Sequence, residues 1–398
     1  MPKDSSTSNN RRQQKAAERT GINLLRYVLD RPNTTCRAAA EDLGMSFPNV
    51  CRLVSEFTDL GILTGQALKQ TGKRGPWSRV VAMRSDLGCS IGVDLEATQV
   101  RGVILDFANE LAGVLRRPIE PSARPNDIIC AVAEIAGILR EAAREQKLNV
   151  CAVGLALPGP VIDLGKGRVQ TDLQFGEAML EFVPVVMGVC GVKTVSASNS
   201  YCFAAGHHRM HNPRGSGIEM VILNRFGLAA ALIWDGVLYT GASHYAGDLG
   251  MLPCDIRPPA RCFKEICTGA ALINHARLRG NGKSFQELLE SPNDPIVKEW
   301  LDDAIPAFSQ AIFSAVIAYN PGSVLIEGIF NRFPEDVRRR IISDVREELA
   351  KKIGYALPEI AFFEGDDLMG ARGGALLARD GVAGHVLIGI LNHQEIAG

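Results

Sequence analysis

The sequence predicts an α/β protein in two parts, a winged helix-turn-helix followed by a larger two-lobed body. Three observations predict it. Residues 34–83 alternate helical and strand periodicity around Gly44. From Cys89 onward the pattern turns to paired strands followed by helices, and it starts again near Gly217. Charge is also uneven: residues 1–84 hold 14 Lys and Arg against 7 Asp and Glu, a net +7, so the remainder carries −8 within a total of −1. A basic head on an acidic body fits a nucleic-acid reader joined to a sensing or assembly unit.

Met1 to Asn10 is rich in Ser, Thr and Asn and has nothing to bury, so residues 1–14 read as a disordered basic arm. The head spans 15–84. Gly21 to Leu29 gives a first helix and Cys36 to Leu43 a second, which stops at Gly44, a residue that adopts left-handed geometry at little cost. Ser46 then offers an N-cap hydroxyl, and Pro48 falls in the first turn, where a missing N–H costs nothing. Val50, Leu53, Val54 and Phe57 repeat on one helical face, leaving Ser46, Asn49, Arg52 and Ser55 on the other. A helix of this kind suits the major groove of duplex DNA. Leu60 to Leu63 ends the helix and starts a strand, Gln66 to Gly75 is a hairpin tip carrying Lys69, Lys73 and Arg74, and Trp77 to Met83 returns. The expected DNA-binding set is Ser46, Phe47, Asn49, Arg52, Lys69, Lys73 and Arg74. Asn49 and Arg52 would meet base edges; Ser46, Lys73 and Arg74 would meet phosphates. The plainer alternative makes the loop cations an ordinary solvated tip.

Arg84 to Leu87 is a short connector, which couples head and body stiffly. In the body (88–398), Ser90–Leu95, Gln99–Leu105 and Leu111–Arg116 read as a meander, Asn126–Gln146 as an amphipathic helix, Val150–Leu155 and Val192–Ala197 as buried strands, and Asn199–Arg209 as a helix. The second half has strands Glu219–Asn224, Gly227–Trp234, Val324–Glu327 and Ile360–Phe363. Its helices are Cys262–Leu278, Asp302–Tyr319, Glu335–Lys352 and the small-residue segment Gly370–Arg379. Two such halves imply two lobes around a cleft. The apolar run Val386–Leu391 should pack onto the body.

No apolar run approaches the ~20 residues of a membrane span, and the polar N-terminus has no signal-peptide core, so a cytoplasmic protein without a membrane partner is expected. The ten cysteines stand among apolar neighbours, as at Cys130, Cys151, Cys190 and Cys202, and read as buried free thiols. His207, His208 and His211 read as a helix end, not a metal site.

Four landmarks in the body, Ile91–Leu95, Gly154–Pro160, Asp235–Tyr239 and Ala246–Gly250, occur in the order and spacing of the ROK family of sugar kinases and sugar-responsive repressors. Residues 88–380 resemble that family, and Gly72–Pro76 is similar to the wing signature of its repressor branch. The resemblance implies an actin-like, ribonuclease-H-like body. It also marks departures. Where family kinases have a Gly-Gly-Thr phosphate turn, this chain has Glu96-Ala97-Thr98, whose carboxylate would repel a phosphate. The second phosphate loop reads Asn224-Arg225-Phe226-Gly227, and Asn199-Ser200 stands where Asn-Asp, with the catalytic base, is expected. The zinc site is reduced, with Met251 in place of its His and only Cys262 matching the cysteine cluster, beside Cys254 and Cys267. No cofactor and no metal is therefore expected.

On the resemblance, Asn199 and Asp248 would face a sugar, with Lys264 and Arg225 beside them. Those two cations suit an anionic effector such as a sugar acid or phosphosugar; the alternative leaves Lys264 on the surface and pairs Arg225 with a nearby carboxylate. The expected function is a transcriptional regulator, a repressor of carbohydrate-related genes, without kinase activity. It would bind an operator duplex as a homodimer or homotetramer. The competing reading is an ATP-dependent sugar kinase with an atypical site.

Overall fold

Residues 19–30 form helix α1, and its C-terminal end leads through Asn33, at φ 61°, into the short strand β1 (Thr34–Thr35). A computed structural model describes residues 19–31, 33–67, 79–120, 123–171, 178–211, 217–255 and 261–397. The expected basic arm, the loop cations Lys69, Lys73 and Arg74, and Trp77 lie outside those residues.

Helix α2 (Cys36–Asp42) is capped by the Thr35 hydroxyl and ends where Gly44 takes φ 61°. Helix α3 (Phe47–Asp59) buries Val50, Leu53, Val54 and Phe57 against Leu24, Leu25 and Val28 of α1, each worth roughly 1.5–3 kcal/mol. Ser46 stands at the N-cap position, yet its hydroxyl makes no cap bond. The cause is local: Pro48 has no N–H to give, and the Asn49 N–H already goes to the Ser46 carbonyl at 3.0 Å. Leu60 to Leu63 ends α3 and starts a strand as expected: Gly61 at φ 69° closes the helix and β2 (Leu63–Ala67) follows. It pairs with β3 (Arg79–Met83), which also pairs with β1.

The first lobe is a sheet in the order β11-β7-β4-β5-β6. Its antiparallel meander is β4 (Cys89–Leu95), β5 (Gln99–Asp106) and β6 (Leu111–Pro118), followed by helix α4 (Pro125–Glu145). Parallel strands β7 (Val150–Leu157) and β11 (Thr194–Ser198) extend it. Between them, a small sheet of β8 (Val161–Asp163), β9 (Arg168–Thr171) and β10 (Ala178–Glu181) precedes α5 (Val183–Cys190). Helix α6 (Asn199–His211) then crosses to the second lobe. There β12 (Ile218–Asn224), β13 (Leu228–Trp234) and β14 (Val237–Tyr239) form the meander, and a short pair, β15 (Pro253–Asp255) and β16 (Arg261–Cys262), follows. Helices α7 (Gly269–Leu278), α8 (Phe285–Leu289) and α9 (Pro295–Tyr319) lead to β17 (Ser323–Gly328), α10 (Glu335–Lys352) and β18 (Glu359–Phe362). The second sheet, β14-β13-β12-β17-β18, repeats the first: three antiparallel strands extended by two parallel ones.

Helix boundaries move for identifiable reasons. The expected helix Cys262–Leu278 splits, because the Thr268 hydroxyl accepts the Ala271 N–H and starts α7 afresh. Helix α9 begins seven residues before the expected Asp302, with Pro295 in its first turn and the Asp294 carboxylate accepting the Ile296 N–H at 2.9 Å. Helix α9 does pass for a membrane span by length and composition, as would the last two helices, Met369–Asp380 and Ala383–Leu391, taken as one span bent by 63°. The sequence reading excluded such segments, but these helices bury their apolar faces in the protein's own cores, α9 with Val297, Trp300, Ile305 and Phe308.

Helix α11 (Met369–Asp380) lies on β4, β7 and α6 with almost no space between backbones: a Cβ on Gly373 would stand 1.6 Å from the Cys202 carbonyl oxygen. The tail is helix α12 (Ala383–Ala397). Its Ala383 and Leu387 enter the same core as Leu25, Val54 and Phe57, so the tail packs onto the head as well as the body.

Candidate functional site

The exposed side of α3 carries the first group of candidate residues. Phe47 is 51% exposed, Ser46 and Arg52 are exposed, and Asn49 is half-buried. Arg52 is held along the helix surface by Asn49 Oδ1, which accepts from Nη2 at 3.1 Å, and by Glu56 Oε1 at 2.5 Å from Nη1. The helix thus presents a guanidinium and an amide side by side, positioned by the apolar stripe underneath.

The second group meets in the cleft. A cavity of about 410 Å³ opens between the β4–β5 turn, Pro158–Pro160, the start of α6, the β12–β13 turn and the segment 244–251. All four residues expected there, Asn199, Arg225, Asp248 and Lys264, line it. So do three that the sequence reading missed: Gln170, His244 and Tyr245. Gln170 comes from the small β8–β10 sheet, whose strands are too short to show periodicity. His244 sits at φ 60°, a backbone state that no sequence pattern announces.

Arg225 lines this cavity, but its guanidinium is engaged within the protein. It bonds Glu327 at 2.7 Å, contacts Glu96, and lies 3.7 Å from Asp94. Of the two readings weighed from the sequence, the geometry favours pairing with carboxylates over an open effector contact. Burial alone would lower the Arg225 pKa; Glu327 and Asp94 outweigh it, and the group is held above its ordinary value. Asp94, wholly buried, is pushed up by desolvation against the opposing pull of Arg225 and Arg101. Arg101 donates to the Asp367 carbonyl at 2.6 Å and pairs with Asp94 at 3.3 Å. A guanidinium from one lobe thus sits among carboxylates of both, beside the turn where a kinase of this fold would cradle phosphates. The residues present do not fit a nucleotide triphosphate. Ser200 is 2% exposed and its hydroxyl shares a hydrogen bond with that of Ser198 at 3.0 Å, so it offers no carboxylate base.

The cysteines behave as thiols. All ten are free, but only five are buried: Cys51, Cys151, Cys254 and Cys262 are half-buried and Cys130 is exposed on the solvent side of α4, contrary to the expectation of buried thiols. Cys254 and Cys267 donate to the carbonyls of Arg261 and Phe263, and Cys262 to Glu265, each at 3.1–3.2 Å. Among the described residues no group of three or more His, Cys, Asp or Glu side chains is arranged for a metal, so the family's zinc site finds no fitting donor set. His208 bonds Glu219 at 3.0 Å, while His207 stacks on His211 and is lowered to about 4 by burial and its histidine neighbours.

Head and body meet at a third cluster. Arg209, at the end of α6, joins Asp30 of α1 (3.0 Å) to Asp380 of α11 (2.6 Å). Arg379, fully buried, donates to the Leu29 carbonyl at 3.1 Å and to Asn109 at 2.5 Å.

Residues 90–381 match the ROK family model. The chain belongs to the ROK family. It is 26% identical over 329 residues to the uncharacterized protein y4fQ of Sinorhizobium fredii (strain NBRC 101917 / NGR234), covering 80% of this chain and 79% of that one. Among solved structures it is similar to a ROK family transcriptional regulator, a homologue of the Escherichia coli MLC protein, with a TM-score of 0.69 at 14% identity over 94% of this chain and 98% of that one. It is also similar to the ROK hexokinase of Thermus thermophilus (TM-score 0.59, 20% identity, 74% and 99% covered). The ROK glucokinase of Streptomyces griseus, solved with glucose and AMPPNP, gives 0.59 at 18% identity, with 74% and 100% covered. At these identities the likeness is one of fold, and regulators and kinases share it.

Proposed function

We propose that this chain is a DNA-binding transcriptional regulator, a repressor of carbohydrate-related genes, working as a homodimer or homotetramer and carrying out no phosphoryl transfer. In this reading residues 15–84 are a winged helix-turn-helix, with α3 as the recognition helix and the β2–β3 hairpin as the wing. The body 88–398 senses a sugar, sugar acid or phosphosugar in the cleft and holds two heads about one helical turn apart. The observation that carries it is the row of exposed Ser46, Phe47 and Arg52 with half-buried Asn49 on a helix whose other face is committed to a core. Arg52 is placed for guanine and Asn49 for adenine; Ser46, Lys69, Lys73 and Arg74 would follow the phosphates.

Two further facts support the regulator over the kinase. The Glu96–Arg225 pair stands where phosphates would need open backbone, and Ser200 replaces the base. The regulator fold spans 94% of the chain, whereas the kinase folds span 74%. In the cleft, Asn199 and Asp248 would hold hydroxyls and Lys264 an anionic group, with Arg225 acting as a bridge between lobes. An effector that fits one lobe arrangement better would change head spacing and release DNA.

The test is enrichment. Genomic fragments captured by the purified chain at physiological salt should share a roughly symmetric sequence, and ATP with a panel of hexoses should give no steady ADP release. Steady turnover without any enriched fragment would replace this reading with the kinase one.

A further inference from the structure

A second cavity, of about 240 Å³, adjoins the cleft and shares Ser198, Tyr201 and His244 with it. Its walls are apolar: Leu155, Val161, Leu164, Val195, Leu238 and Leu377. Gly154, Ala197 and Gly374 complete the lining, Gly154 and Gly374 lying against each other where β7 meets α11. Two of the polar side chains at hand are bonded within the protein, and Thr240 and His244 complete the polar part of the lining. The Ser196 hydroxyl donates to the Leu164 carbonyl at 2.9 Å, and Ser198 is bonded to Ser200.

Tyr201 lines both spaces. Its hydroxyl donates to the carbonyls of Ala246 (2.9 Å) and Thr240 (3.3 Å), which ties the 240–246 segment to α6. One side of that segment faces the polar cleft and the other the apolar cavity. The pairing of a hydroxyl- and charge-lined space with an adjoining, largely apolar one is the shape of an amphipathic ligand.

We propose that the effector of the cleft is a glycoside bearing a compact apolar group, on the scale of a phenyl ring, and that this group seats in the second cavity. An engineered cavity of about 150 Å³ lined by aliphatic side chains binds benzene, so the space suffices. The inference rests on the reading of the cleft as an effector site, and adds the chemistry of the ligand. It also gives occupancy a route outward. Leu377 lies on α11 two residues before Arg379 and three before Asp380, the side chains that grip Leu29 and, through Arg209, Asp30.

The experiment uses the full chain with matched methyl and phenyl β-glycosides of glucose, galactose and xylose in calorimetry, and indole alone in ligand-observed NMR. Two variants fill the space, Val195→Phe and Thr240→Trp, both at half-buried positions of its lining, the second keeping the test alive if the first misfolds. The phenyl glycoside of whichever sugar binds should bind about tenfold more tightly than its methyl partner. That advantage, and indole binding, should disappear in the variants while the methyl glycoside binds as before. Equal affinity of the two partners overturns the inference and leaves the effector cleft standing. Failure of indole to bind the unaltered chain, or binding indifferent to both variants, overturns it whatever the sugar. Indole binding that the variants abolish, with no glycoside bound, keeps the apolar site and removes the sugar from the cleft.

Discussion

Arg225 reaches from the β12–β13 turn to Glu327 beside it and to Glu96 and Asp94 across the cleft, with its side chain only 13% exposed. Removing one partner of a buried ion cluster leaves the others charged and undersolvated. Arg225→Ala should therefore cost about 3 kcal/mol of stability in chemical denaturation of the full chain, and combining it with Glu96→Ala should cost less than the sum of the two single changes. Strict additivity would show that the guanidinium does not bridge the lobes. At this scale the sequence was half legible. It placed Asn199, Asp248, Lys264 and Arg225 on one cavity, because the family landmarks fix their neighbourhood. It left Arg225 between two roles, since choosing needs the distance to Glu327, a residue 102 positions away whose carboxylate arrives only through β17. The Ser46 hydroxyl shows the same limit, its capping partner being removed by the next residue but one, Pro48.

Helices α6 and α11 each run from the cleft to the head. α6 opens with Asn199 and Ser200 on the cavity and closes with Arg209 on Asp30; α11 opens with Gly370 against Asp94 and closes with Arg379 and Asp380. Because Gly373 brings the two backbones together, the pair moves as one body. Arg209→Ala would leave Asp30 and Asp380 facing each other without the guanidinium between them. Amide exchange in residues 24–30 and 380–387 should then rise about tenfold while β12 and β17 stay unchanged. No change in the head segment would mean that Arg209 does not hold it. These long helices and the seven- and eight-residue strands were readable from periodicity. The β8–β10 sheet and α5 were not, since strands of three or four residues carry no pattern and Val183–Cys190 is apolar on nearly every side. The tail was read as apolar, but its target was not, because only the fold brings Leu387 to Val54.

For the molecule as a whole, the repeat of two five-stranded sheets was visible as two similar halves of sequence, and the separate head as a charge asymmetry. The packing between them was not, because its contacts join Leu29, Asn109 and Arg379, three distant points of the chain. On the proposed reading, ion pairs around Arg225 occupy the place where a kinase of this family would hold phosphates, and the body passes the state of its cleft to a head that reads DNA. Its most direct test is the affinity of the full chain for a duplex selected from genomic fragments against a scrambled duplex of the same composition, at about 150 mM salt. The account predicts a preference of at least about a thousandfold for the selected duplex, most of it lost in Arg52→Ala through weaker binding of that duplex alone. Equal affinity for both duplexes, or an equal loss on both in Arg52→Ala, would contradict it.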